Sequence, residues 1–241
     1  MTIAVEILGA SFFATHHASP ADALAGVGRA FTPPAFALLV GRARRFTSLV
    51  TQLHMEVCGG LPAHASAGDL PAVFATCHGE IQTALRLISD FRDIGEVSSA
   101  QFAHSVHNTP SGLWAIATRT AAPTTTLTGE NAIAAGWLEA ALLARETGGL
   151  VVLSIADEPV PPAFRGPGEA GGVAEAFLVG PAAHVGRPAV LLIDESGGDA
   201  ERPSGILARA VHACSRRDAG DLVLGAVAPG RSLRLLVSAA S

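Results

Sequence analysis

The stretch that most constrains this chain runs from Phe102 to Glu139, a polar approach and a short helix leading to a strand, a sharp turn and a long helix. A β-branched run, Thr124–Thr128, leads into the turn Thr128-Gly129-Glu130-Asn131. A small-residue, helix-forming segment over 131–146 follows, then the unbroken apolar run LVVLSIA over 150–156. β-branched residues favour strands, and an unbroken apolar run marks a strand buried on both faces. In α/β folds, ligands and nucleophiles are presented where a strand hands over to a helix N-terminus. Here that crossing carries a carboxylate, Glu130, and an amide, Asn131, but neither Cys nor Ser. It reads as an active-site frame without its nucleophile.

The flanking segments fit the same architecture. Residues 3–8 (IAVEIL) read as a strand ended by Gly9, and residues 14–42, broken by Pro20, Pro33 and Pro34, as a loop with a short helix. Phe46, Leu49, Val50, Leu53 and Val57 recur at helical spacing over 45–58, and Gly59-Gly60 stops that helix. A loop over 61–70 precedes a short buried strand at 71–76. A helix over 78–92 then aligns Ile81, Leu85, Ile88 and Phe91 on one face. Ser98 or Ser99 is a candidate cap, and 109–118 is a short helix with Pro110 in its first turn, where no donor is needed. In the helix over 131–146, Ala132, Ala135, Gly136 and Ala140 let neighbouring backbone come close, and Gly148-Gly149 ends it. A Pro- and Gly-rich stretch, 159–172, separates this from strands at 173–180 and 189–194, a helix at 203–215, and a hairpin pairing 222–227 with 233–238 through Ala228-Pro229-Gly230. Strands alternating with helices up to residue 156 argue for a layered α/β fold.

Composition narrows the function. The chain has 241 residues, long enough for a core without disulfide or metal staples. It is 49% apolar and 15% charged, which suggests a large core or a large apolar interface. No apolar stretch reaches the ~18 charge-free residues of a membrane span. The formal net charge of −5 offers no footprint for nucleic acid. All sixteen basic residues are Arg, and Arg42, Arg44 and Arg45 form one tight cluster, a solvated or capping group before a helix. Cys58, Cys77 and Cys214, odd in number and far apart, fit reduced thiols in a cytoplasmic protein.

Individual residues offer few catalytic openings. Cys77 precedes His78 and Glu80 where a strand meets a helix. As a Cys-His pair it would be a nucleophile, but adjacent side chains rarely point at a common atom, which leaves a structural thiol. The histidines (His16, His17, His54, His64, His78, His104 and His107) show no zinc-ligand spacing, so no metal is expected. His107-Asn108 approaches the Gly129 turn, either as part of a site or as a loop pair supporting the strand. Glu130 is either a polar lining residue or a cap for the helix that follows. Trp114 and Trp137 read as core or interface residues, and no Gly-rich phosphate loop or G-x-S-x-G elbow occurs.

With these residues in view, the chain resembles the N-terminal half of a β-ketoacyl-ACP synthase of the thiolase superfamily. The resemblance rests on Ser105-Val106-His107-Asn108 followed by Gly112, on Pro123 through Leu127, and on Ala132 through Ala140. Synthases have a Ser-Val-x-Asn approach, a Gly-Pro-Ser strand, and Thr-Ala-Cys-x-x-Gly opening a buried helix. Counting from Pro123, the synthase Cys falls on Asn131 and its predecessor on Glu130. Chain-length factors, which pair with ketosynthases, are similar in carrying Glu-Gln there. Neither a His-Gly-Thr nor an Asn-x-x-x-Gly-x-Gly-Gly-x-Asn motif follows residue 181, where only His184 and His212 remain. A synthase needs two such histidines to decarboxylate its malonyl unit.

The resemblance implies a thiolase-like half, a layered α/β/α with a mixed sheet, truncated relative to a full ketosynthase. Residues 1–180 would form the ketosynthase-type region and 181–241 a short α/β extension packed on it. It is similar to the short chain-length-factor-like proteins of aryl polyene and related fatty-acid or polyketide synthases. That implies a non-catalytic subunit, without cofactor, that heterodimerises with a full-length ketosynthase and shapes its acyl tunnel. It would meet acyl carrier protein through that complex. The implied tunnel and interface residues are Thr124, Thr125, Thr126, Leu127, Glu130, Asn131, His107 and Asn108, because in thiolase-like dimers the strand before the nucleophile pairs across the two-fold axis. The chemistry agrees: Asn131 cannot form a thioester, and Glu130 is a poor acyl carrier. Two other readings stay open. One is an independent condensing enzyme or malonyl-ACP decarboxylase using Cys77; the other is a stand-alone acyl-ACP-binding module.

Overall fold

The computed structural model describes residues 1–45, 47–67, 69–164, 171–182, 187–194, 210 and 219–238. The chain opens with β1 (Thr2–Ala14), α1 (Pro20–Ala25), a 3-10 turn (Gly41–Arg44), α2 (Leu49–Gly59), α3 (Ala63–Ala67), β2 (Ala72–Thr76) and α4 (Ile81–Ile94). Then come α5 (Ser99–Phe102), α6 (Thr109–Thr118), β3 (Thr124–Thr128), α7 (Ala132–Thr147) and β4 (Val151–Asp157). After a 3-10 turn (Pro162–Phe164) the described strands are β5 (Val173–Pro181), β6 (Arg187–Asp194), β7 (Gly220–Ala228) and β8 (Arg231–Val237). The eight described strands join one sheet in the order β3-β2-β4-β5-β1-β6-β8-β7. β3, β2 and β4 are parallel and every other neighbour is antiparallel, so the sheet is mixed.

The period of two along each strand divides the core into two layers. Val73, Ala75, Leu153, Ile155 and Phe177 face α7, while Ala72, Phe74, Val152, Ala156 and Leu178 face α2 and α6. β2 and β4 are buried along their whole length, as unbroken apolar runs require. Helix α7 comes close because it presents small residues. A Cβ on Gly136 would lie 2.9 Å from the Ala75 Cβ and 3.3 Å from Leu153 Cδ1. Trp137 packs on Phe177 at 4.6 Å between ring centroids, and Trp114 lies 6.2 Å from Phe74 in the other layer. Each such side chain contributes roughly 2–3 kcal/mol through burial. His54 is also in that layer, with Nδ1 2.8 Å from the Ser154 hydroxyl. Burial lowers its pKa to about 3 and raises that of Cys58 to about 12, so both are neutral core groups.

Several elements depart from the sequence expectation. Gly9 does not end β1; the strand continues to Ala14 through a register shift between Ile7 and Gly9. The glycine is needed there because a Cβ would sit 2.7 Å from Pro62 Cδ. Helix α2 starts at Leu49 rather than Arg45 because Ser48 caps it, its side chain accepting from the Thr51 N–H. The expected loop over 61–70 contains α3. Helix α4 begins at Ile81, three residues after His78, and its apolar stripe faces outward: Ile88 and Phe91 are exposed while Thr83 and Leu87 are buried. The expected helix over 203–215, His184, His212 and Cys214 lie outside the described residues, as does 165–170 of the Pro- and Gly-rich stretch.

Candidate functional site

The three parallel strands end side by side, at the edge where an open α/β sheet presents its ligands. At the end of β3 the Gly129 N–H donates to the Thr76 carbonyl at 3.3 Å, and the Ala132 N–H donates to the Gly129 carbonyl at 2.9 Å. Gly129 has φ +116°, a conformation that excludes a side chain. The turn therefore projects Glu130 and Asn131, and both are exposed. Asn131 occupies the N-cap position of α7 without a side-chain capping bond. Glu130 is thus not the helix cap, one of the two roles expected for it.

His107 and Asn108, in the loop between α5 and α6, reach the same edge beside the end of the neighbouring strand β2. The His107 Cβ lies 3.5 Å from where a side chain on Gly79 would begin, just past the end of β2. The Asn108 carbonyl accepts from the Gly112 N–H and the Ser111 hydroxyl, which starts α6. Both residues are exposed, and no hydrogen bond joins them to Glu130 or Asn131 among the described residues.

Among the described residues, β3 is the terminal strand of the sheet. Ala72 N–H donates to the Pro123 carbonyl and Gly129 N–H to Thr76, so odd-numbered residues bond to β2. By alternation, Thr124, Thr126 and Thr128 present their N–H and C=O groups outward. The side chains are spent inward: Thr125 donates to Glu139 Oε1 at 3.4 Å, and Thr126 to the Ser111 hydroxyl at 3.0 Å. Five residues of free edge thus lead directly into the Glu130–Asn131 turn.

The ends of β2 and β4 hold a buried carboxyl network. Asp157 Oδ1 accepts from Thr76 Oγ1 at 2.9 Å, Cys77 N–H at 2.8 Å and His78 N–H at 3.1 Å. Cys77 itself is half-buried. Glu158 Oε1 accepts the Gln82 N–H at 2.8 Å in the first turn of α4, and Glu80 Oε1 accepts from Thr51 Oγ1 of α2 at 2.9 Å. Burial raises the pKa of Asp157 and of Glu80. It raises that of Glu158 to about 7, with the Glu80 charge adding to the effect. The network ties α2, α4 and β4 to the Cys77–Gly79 turn. It was not singled out from the sequence, although Asp157-Glu158 directly after an apolar strand was a visible signal.

A pH dependence follows. The fold retains the Glu158 proton that the unfolded chain releases near pH 4.5, so its stabilising contribution is complete below that pH. It is lost as pH rises to about 7, at ~1.4 kcal/mol per unit, or roughly 3 kcal/mol altogether. Urea unfolding at pH 5 and pH 8 should show wild type losing about that much more stability than Glu158→Gln, whose amide oxygen still accepts from Gln82. Equal losses in the two proteins would contradict this assignment.

Family and fold comparisons bear on this arrangement. The sequence pattern of the family described as "Beta-ketoacyl synthase, N-terminal domain" matches residues 20–192, well over half of the chain. The chain belongs to this family. Solved structures of ketosynthase-type chains share its fold. A chain from the complex of the ketosynthase ApeO with its chain length factor ApeC, from Xenorhabdus doucetiae, superposes with a TM-score of 0.75 at 17% identity, covering 97% of this chain and 99% of that one. A chain from the ishigamide ketosynthase/chain length factor gives 0.69 at 14% identity, with 98% and 99% covered. A β-ketoacyl synthase from Burkholderia phymatum STM815 gives 0.58 at 12% identity, with 82% of this chain and 65% of that one covered. No match was found among curated proteins. The mixed sheet with helices on both faces is accordingly the thiolase-like ketosynthase fold. No helix among the described residues is long and apolar enough to cross a membrane.

Proposed function

We propose that this β-ketoacyl synthase-type chain is a non-catalytic, chain-length-factor-like subunit. It pairs with a full-length β-ketoacyl synthase in the cytoplasm, shapes that enzyme's acyl tunnel and meets acyl carrier protein through the complex. The observation that carries this reading is the outward edge of β3 running into an exposed turn, Glu130-Asn131, which the sequence resemblance aligns with the Ala-Cys of a synthase. A strand edge with unpaired N–H and C=O groups is a template for another strand. Pairing about a two-fold axis would continue the sheet into the partner and set the Glu130 turn against the partner's own site. Glu130 and Asn131 would then act by shape and polarity, with His107 and Asn108 on the same rim.

Two of the structures that share the fold are ketosynthase/chain length factor assemblies, which supports the reading. So does the aryl polyene-type resemblance of the sequence.

The test is co-expression with each β-ketoacyl synthase of the same genome, followed by native mass determination. A 1:1 heterodimer is expected. Thr126→Pro removes one outward N–H while leaving the bonds of Thr125 and Leu127 to β2, a position where an edge strand tolerates proline. It should abolish the heterodimer while changing stability by no more than about 1 kcal/mol. A stable monomer indifferent to every synthase would sink the proposal.

A further inference from the structure

Helix α4 is amphipathic, and it turns the wrong side to water. Ile88, Phe91 and Ile94, spaced by three along one stripe, are 64%, 63% and 72% exposed. The exposure does not stop with the helix. Every residue from Phe91 to Ala100 is exposed, and the apolar series continues through Val97 to Phe102 on α5 and then Val106. Gly95, with φ +74°, ends α4 and lets the chain fold back so that α5 packs against it. Isolated exposed apolar residues need no explanation, but a contiguous set including two phenylalanines marks a contact surface.

We infer that this α4–α5 face is the second half of the interface with the full-length synthase, whose first half is the β3 edge. The inference rests on the heterodimer reading above and goes beyond it by assigning the apolar anchor. Size is one argument. β3 offers five residues, about 17 Å of edge, with three residues facing outward. A stable interface covers roughly 800 Å² on each partner, and so short an edge cannot supply that area. Binding energy also concentrates in a few large apolar or aromatic anchors, whereas β3 presents threonines. Phe91 and Phe102 are anchors of that kind.

Continuity is the other argument. Helix α6 packs on β2 and β3, and its Ser111 hydroxyl accepts from Thr126 of the edge strand. The same helix exposes Ile116, and its N-terminus follows directly from Val106 and α5. Exposed apolar side chains therefore extend from the helix beside the free edge onto the α4–α5 pair. A partner strand seated on β3 would meet α6 first and the α4–α5 face next.

The experiment uses the full-length chain co-expressed with the β-ketoacyl synthases of its genome, one at a time. The variants are Phe91→Ser with Ile94→Ser, and separately Phe102→Ser. All three side chains already face solvent, so the melting temperature should hold. The expected result is at least a hundredfold weaker heterodimer for the double variant, with amide exchange over 88–106 slowed in the wild-type complex. A heterodimer of undiminished affinity, protected along β3 alone, overturns this inference and leaves the heterodimer reading standing. Homodimers cross-linked through Phe91 positions overturn it in favour of a second copy as the occupant. Failure of the wild-type chain to bind any synthase overturns both.

Discussion

Gly136→Leu should lower the stability of this chain by about 3 kcal/mol or more, and melting temperature by roughly 10 °C. The glycine faces the sheet from α7, and a Cβ there would approach the Ala75 Cβ to 2.9 Å and Leu153 Cδ1 to 3.3 Å. The Ala75 atom is fixed to the backbone of β2 and cannot swing away, so the helix itself must lift. Lifting α7 also loosens Trp137 from Phe177 and shifts the Glu130–Asn131 turn at its N-terminus. Gly136→Ala separates the two effects. It gains about 1 kcal/mol of helix propensity but meets the same Cβ contact, so its loss should be smaller. Thermal unfolding of both variants checks this, and a leucine variant as stable as wild type would show that the close approach of helix and sheet is unimportant.

Glu175→Leu is expected to act in the opposite direction, stabilising the fold by about 1–3 kcal/mol. Glu175 lies in β5 between Ile155 of β4 and Phe12 of β1, fully buried, and neither carboxyl oxygen has a hydrogen-bond partner. Burial holds its pKa well above the usual carboxylate range. The proton-bound form is the one the fold accepts, so its contribution is complete at acid pH and is lost as pH rises above the unfolded chain's value. The gain from leucine should therefore be larger at pH 8 than at pH 5. Glu175→Gln removes the pH dependence but leaves a buried amide without partners, so it should gain less than leucine at pH 8. Chemical denaturation of the three proteins at both pH values measures this directly. A leucine variant less stable than wild type at pH 8 would mean that the carboxyl has a role the hydrogen bonding does not reveal.

A lone glutamate inside the apolar run VAEAFLV of β5 is visible in the sequence as an anomaly, yet its consequence is not. The period of two says only that Glu175 shares a face with Val173 and Phe177. Burial on that face depends on β4, β1 and α7, separate elements of the chain brought there by the fold. The Asp157–Glu158 network has the same character. Its carboxyls are adjacent to a strand end in sequence, but their partners Cys77, His78 and Gln82 lie some eighty residues earlier.

Local signals determined a good deal by themselves. The helix over 109–118, the strands expected at 71–76 and 150–156, and the helix after Asn131 follow from spacing and from apolar or β-branched runs, because each depends on neighbours within one or two turns. That the Glu130–Asn131 turn carries no thiol is likewise a matter of residue identity, whatever the fold. Only the tertiary structure decided which strand is left at the edge, since strand order is set by pairing between distant segments. It put β3 outermost and buried β4 between β2 and β5, although both runs look like strands. It also decided which way α4 faces. The stripe Ile81–Leu85–Ile88–Phe91 is legible as amphipathic from the sequence, but periodicity gives only the existence of an apolar face. What that face meets is settled by the packing of the whole chain, which here leaves it to the solvent.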